Sequence, residues 1–162
     1  MKLKLEHRFA CTPDQYWDIV GNHEVDREMA AASNGEYTLL FEREEGDVFV
    51  RRQRLVMKRE LPAAMVKVLG TQHIGYELET RINRQLSRAN WTITPLVLPD
   101  RVQGAGVAVV TATKDGCLRV IEGDLTVRVP LIGRKMEERL VADVSDSYDR
   151  GAEIIRRRIA QL

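Results

Sequence analysis

Apolar and polar residues alternate from Lys2 to Phe9, with Leu3, Leu5, His7 and Phe9 on one side and Lys4, Glu6 and Arg8 on the other. A period of two marks a strand with one buried face. The pattern breaks at Thr12-Pro13-Asp14. A threonine hydroxyl caps a helix N-terminus, and proline suits the first helical position, where its missing N–H costs no bond. Tyr16, Trp17, Ile19 and Val20 give this helix its apolar face, and Gly21-Asn22 stops it. A second helix is predicted from His23 to Ala32, ending at Ser33-Asn34-Gly35.

From Glu36 the period returns to two. Strands are predicted over Glu36 to Glu42, Val48 to Met57, Thr71 to Gln85, Arg88 to Leu96, Arg101 to Thr113 and Cys117 to Val129. Glu45-Gly46-Asp47 and Lys114-Asp115-Gly116 are tight-turn sequences, and strands joined so briefly pair antiparallel. Leu61 to Leu69 interrupts the meander as a short helix or an irregular edge. After Pro130-Leu131-Ile132-Gly133 the period lengthens. Met136, Leu140, Val144 and Tyr148 recur every four residues, Ala152, Ile155 and Ile159 continue the stripe, and Val141 and Ile154 widen it. A helix of about 30 residues spans about 45 Å, enough to cross a curved sheet. The expected class is therefore α+β: a seven-stranded curved antiparallel sheet, two short helices after its first strand, and a long C-terminal helix. With no internal repeat, low-complexity tract or linker, residues 1–162 read as one domain.

Composition adds mainly exclusions. The 162 residues are 44% hydrophobic and 30% charged, with a net charge of +1, which gives no bias toward nucleic acid. Cys11 and Cys117 lack metal-ligand or CxxC spacing, which points to a reduced, cytoplasmic setting. No segment approaches the roughly 20 apolar residues of a membrane span, so stable insertion is not expected.

The order of elements resembles the START-like, or helix-grip (SRPBCC), superfamily over the whole chain. Two local sequences carry the likeness. Cys11-Thr12-Pro13-Asp14-Gln15-Tyr16-Trp17 looks like that superfamily's strand-to-helix entrance, and Val127-Arg128-Val129-Pro130-Leu131-Ile132-Gly133-Arg134-Lys135-Met136-Glu137 is similar to the strand-to-helix junction of a bacterial domain-of-unknown-function family within it. The superfamily includes birch-pollen-type allergens, lipid-transfer domains and polyketide cyclases. The resemblance implies a helix gripped by a sheet and a hydrophobic small molecule or lipid as ligand.

Period-two reading then selects lining candidates. Ile74, Tyr76 and Leu78 share a face of one strand, Trp91 and Ile93 a face of the next, and Leu125 and Val127 a face of the last. Met136, Leu140, Val144 and Tyr148 face them from the helix. Taken singly, each of these residues reads first as core packing, and the cavity reading comes from the architecture of a curved sheet and a single helix. Ligand pockets are mostly apolar with a few placed polar groups, a mixture to which Tyr37, Tyr76, Trp91 and Tyr148 contribute. Arg51-Arg52-Gln53-Arg54 lies within a strand, so at least one arginine points inward or to the rim. Arg52 and Arg54 are the candidates for holding a ligand anion; the competing reading is an ion pair with Glu42, Glu44 or Glu77.

No catalytic set emerges. GxSxG, HExxH and phosphate-loop motifs are absent, and no cofactor or metal is indicated. His7 shares its face with Leu3, Leu5 and Phe9 and reads as a core histidine with one hydrogen bond, whereas His73 reads as lying on a strand's polar face. The glycines of Gln103-Gly104-Ala105-Gly106 read as a strand bend. The expected function is binding, transport or sequestration of an apolar ligand. The alternatives are a cyclase- or dehydratase-like enzyme using Tyr76, Tyr148 and Arg52 or Arg54, or an interaction module with a filled core. Monomer and homodimer both remain open.

Overall fold

Lys2–Phe9 forms β1, and its inward residues Leu3, His7 and Phe9 are buried. In the computed structural model, residues 1–58, 61–63, 66–67, 70–130 and 133–162 are described. Thr12 caps α1 (Pro13–Gly21) in a reciprocal box: Gln15 N–H donates to Thr12 Oγ1 at 3.2 Å, and Thr12 N–H donates to Gln15 Oε1 at 2.9 Å. Asn22 both ends α1 and caps α2 (His23–Ala32), accepting the Glu24 N–H at 3.0 Å. The meander then runs β2 (Gly35–Glu45), β3 (Val48–Met57), β4 (Ile74–Asn83), β5 (Arg88–Pro95), β6 (Val102–Thr113) and β7 (Gly116–Val127), and the chain closes with α3 (Gly133–Ile159).

The strands make one antiparallel sheet in the order β1-β7-β6-β5-β4-β3-β2. The first strand closes against the last, so the α1–α2 pair is folded back over one end of the concave face. This is the helix-grip fold. Ends differ from the sequence expectation by a few residues. β4 starts at Ile74, so His73 lies in the preceding connection, where its N–H bonds Thr71 Oγ1 at 3.1 Å. The expected Leu61 to Leu69 segment falls partly outside the described residues.

The junction into α3 has a steric cause for its glycine and a polar cause for its glutamate. A Cβ at Gly133 would lie 2.6 Å from the Val127 carbonyl oxygen, so only glycine allows the helix to start this close to β7. Glu137, one turn on, accepts the Val127 N–H at 2.8 Å and satisfies the end of the strand.

Candidate ligand-binding site

The pairing register fixes which side chains face α3. Trp91 on β5 lies opposite Thr80 on β4 and Gly106 on β6, and Gly106 lies opposite Gly123 on β7. A Cβ at Gly106 or Gly123 would overlap the indole, so the two glycines form a bare floor on which Trp91 lies flat across two strands. The expected strand bend is thus the seat of an aromatic ring.

Along α3 the concave face divides into two regions. Toward the helix C-terminus, Ala152, Ile154 and Ile155 pack against Phe9, Tyr16, Trp17 and Val25, all of them buried, with Ile19, Val20, Met29, Phe49 and Ile159 partly buried around them. Toward its N-terminus, Trp91, Ile121 and Leu125 are buried, but Leu78, Ile93, Leu140, Val144 and Tyr148 around them are only partly buried. The structure therefore brings seven of the expected lining residues into one cluster. Met136 on α3 and Ile74 on β4 are likewise partly buried, and Val127 is buried where β7 meets the helix. Tyr37 and Tyr76 lie one row further out, both opposite Leu55 of β3.

Polar groups enter this face from α2 and β3. Arg51, 4% exposed, is the inward arginine of its run. Its Nη1 donates to Asp26 at 2.6 Å and its Nε to Glu42 at 2.7 Å, and it also donates to the Val20 and Gly21 carbonyls. Burial pushes the Asp26 carboxyl up to about 6, even against the opposing pull of Arg51 and a hydrogen bond from Gln53. Burial likewise pushes the Tyr37 and Tyr76 phenols up to about 12 and the Tyr148 phenol higher still, with the Asp26 charge adding to each. The region thus holds one acid that titrates near neutrality and three phenols that remain O–H donors.

Arg52 and Arg54 are not brought to this face. The register that turns Arg51 inward turns both outward, toward Glu77 of β4 at 2.7 Å each. Their guanidiniums hold the Glu77 carboxyl below the usual carboxylate range, the Arg54 hydrogen bond contributing most. They belong to a ladder of ion pairs on the convex surface that continues through Glu79, Arg81, Glu45 and Arg43. Their anions come from the protein.

A second inward arginine escaped the sequence reading. Arg119 of β7 is 3% exposed and lies between the rings of Phe9, Tyr16 and Tyr148, 5.2–5.9 Å from their centres. Opposite it in register is His7, whose Nε2 pairs with Asp149 at 2.8 Å. Burial lowers the His7 pKa, the Asp149 bond opposes that, and the Arg119 charge lowers it further. The signal was available: Cys117, Arg119, Ile121 and Leu125 share one face, so an arginine stands in an otherwise apolar row. Asp26 and Gln53 gave no such signal: Gln53 shares the register that turns Arg51 inward, and Asp26 is brought to it only by the packing of α2 onto β2.

Buried polar side-chain atoms nearly always have partners. Among the described residues five do not: His7 Nδ1, Tyr37 OH, Gln53 Oε1, Trp91 Nε1 and Arg119 Nε. By register all five residues sit on the concave face. Two surface depressions lie elsewhere. One of about 710 Å³ is lined by Arg8, Phe9, Lys114, Cys117, Arg156 and Ile159 beyond the C-terminal end of α3. The other, about 500 Å³, involves Thr92, Thr94, Gln103, Ala105, Asp124 and Thr126 on the outward side of β5–β7. Among the described residues no group of three His, Cys, Asp or Glu side chains is placed to hold a metal ion, and no helix is long and apolar enough to cross a membrane.

Comparison with known proteins agrees with this fold. The family described as "Protein of unknown function (DUF2505)" matches residues 4–159. The chain is similar to the crystal structure of TTHA0849 from Thermus thermophilus, at TM-score 0.70 and 12% identity, covering 99% of this chain and 98% of that one. It is also similar to the ZhuI aromatase/cyclase from Streptomyces sp. R1128 (TM-score 0.67, 12% identity, 96% and 91% covered). A third similar structure is Ara h 8.0201 (TM-score 0.69, 9% identity, 100% and 99% covered). At these identities the likeness is one of fold. No curated protein matches the chain.

Proposed function

The chain belongs to the DUF2505 family of proteins of unknown function, and on that premise we propose that it binds a hydrophobic small molecule or lipid between the sheet and the N-terminal half of α3. One observation carries the reading. The apolar side chains of that half, Leu140 and Val144, with Tyr148 just past the helix midpoint, and those facing them, Leu78 and Ile93, stay partly accessible although they lie between helix and sheet. A core whose purpose is stability closes such contacts, because interiors pack at crystal density. An apolar wall with a few inward polar atoms is what a small-molecule site needs.

The test is native mass spectrometry of the purified full chain with organic extraction, followed by uptake of straight-chain alcohols of 8 to 16 carbons. A co-purifying apolar molecule or saturable uptake is expected. Leu140→Glu should abolish uptake and the exposed Arg134→Glu should leave it. No uptake at any chain length, or unchanged uptake by folded Leu140→Glu, would reject the reading.

A second reading is favoured by Asp26. A carboxyl titrating near 6 beside three phenols can donate and accept protons at neutral pH, which general acid–base chemistry requires. On that reading the protein is a cyclase- or dehydratase-like enzyme in the same space. Asp26→Asn would then remove turnover of a bound enolisable ligand while leaving its affinity; loss of affinity alone would confine Asp26 to binding or structure.

A further inference from the structure

Each inward cation on the concave face can be asked where its anion is. Arg51 has Asp26 at 2.6 Å and Glu42 at 2.7 Å. Arg119 has no carboxylate within 4 Å among the described residues. Its Nη1 donates to the Tyr16 hydroxyl at 3.1 Å, its Nη2 reaches the Tyr148 carbonyl at 3.5 Å, and its Nε is buried without a partner. Three aromatic faces offset part of the desolvation, since the π cloud attracts a guanidinium. They leave its net charge unbalanced and its fork geometry, which matches a carboxylate, incompletely used.

Position makes this more than an oddity of packing. On the inward row of β7, Cys117 belongs to the filled end and Ile121 and Leu125 to the half-open end, so Arg119 stands at the seam. Tyr148 packs with the half-open cluster and touches Arg119 with its ring. His7, directly across from Arg119, carries a second unpartnered atom, Nδ1. With Nε2–H donating to Asp149, a neutral His7 presents Nδ1 as an acceptor and adds no charge, and the Asp149 carboxylate is engaged by the imidazole rather than by the Arg119 fork.

We propose that Arg119 is the anion-recognising group of this protein and that its ligand is an amphipathic carboxylic acid, with the carboxylate at Arg119 and the apolar body running along Ile121, Trp91 and Leu125 beneath Leu140 and Val144. This rests on the binding reading above and adds the ligand's charge and direction: head at the seam, tail toward the N-terminal end of α3. A single guanidinium beside a neutral imidazole balances one negative charge, which favours a carboxylate over a dianionic phosphate.

The experiment compares straight-chain carboxylates of 8 to 16 carbons with the alcohols of equal length on the full chain at pH 7, by titration calorimetry and by NMR of the arginine Nε–Hε signals. The Arg119 signal is assigned from its loss in Arg119→Lys. Carboxylates should bind at least tenfold more tightly than matched alcohols and should move the Arg119 signal, which alcohols should not. Arg119→Met should erase the preference while keeping alcohol binding. If that variant does not fold, the wild-type signal decides. Equal affinity for acids and alcohols, an unmoved Arg119 signal, or a preference that survives Arg119→Met would overturn the inference and leave the binding reading standing. Failure of acids and alcohols alike at every length would remove both.

Discussion

The two halves of α3 carry one continuous apolar stripe and are packed differently. From Gly151 to Ile155 the inward residues are small or β-branched and fully buried, held between the sheet and the α1–α2 pair. From Met136 to Tyr148 the inward residues Met136, Leu140, Val144 and Tyr148 recur every four residues and are only partly buried. The cause is coverage. The α1–α2 pair closes the back end of the concave face, where Met29 of α2 packs onto Gly151. On the sheet side the helix meets β7 and β1. A helical period tells which side of a helix is inward; how densely that side is filled depends on what else covers it.

The largest expected effect breaks the filled end. Ile155→Ala removes a fully buried side chain held on all sides, and a loss of about 2–5 kcal/mol is expected from denaturant unfolding. A loss under about 1 kcal/mol would mean that the two ends are packed alike.

The pH dependence of Asp26 comes next. Its folded-state value of about 6 lies above its ordinary 3.8, so between those values the folded protein holds a proton that the unfolded chain releases. The associated stability is complete below about pH 4 and is lost as pH rises through 6. At about 1.36 kcal/mol per unit it amounts to roughly 3 kcal/mol. Unfolding measured from pH 4 to pH 7 should show this slope in the wild type and lack it in Asp26→Asn. An Asp26 carboxyl NMR titration centred near 4 would contradict it.

Gly123→Ala then sharpens the account of the half-open end. The new methyl would meet the Trp91 indole and the ring would have to tilt off its floor, at a cost of about 1–3 kcal/mol. A shift in tryptophan fluorescence should accompany the loss, and unchanged fluorescence would refute the seat assigned to Trp91. The smallest effect is expected for Leu140→Ala, about 1 kcal/mol or less, because the side chain is already partly in contact with water. A cost equal to that of Ile155→Ala would show that the front of the helix is a filled core.

The architecture was legible because each element announces itself locally. β1 alternates, α1 carries its capping box, and α3 repeats every four residues. The concave-face positions of Leu78, Trp91 and Leu125 were legible too, since period two places them without knowledge of the neighbours. Arg52 and Arg54 were not. In a run of arginines the sequence does not fix the register, and β3 turns Arg51 inward because Glu42 on β2 and Asp26 on α2 wait there. Asp26 depends on tertiary packing in the same way. Arg119 could have been found by continuing the inward row of β7 two residues back from Ile121.

The most direct test of the central claim is methyl NMR of the full chain during titration with dodecanol. The account predicts saturable shifts at the methyls of Leu78, Ile93, Leu125, Leu140 and Val144, with Ile154 and Ile155 unmoved. Shifts of equal size at Ile154 and Ile155, or no saturable shift at any of these methyls, would contradict a ligand site confined to the half-open end.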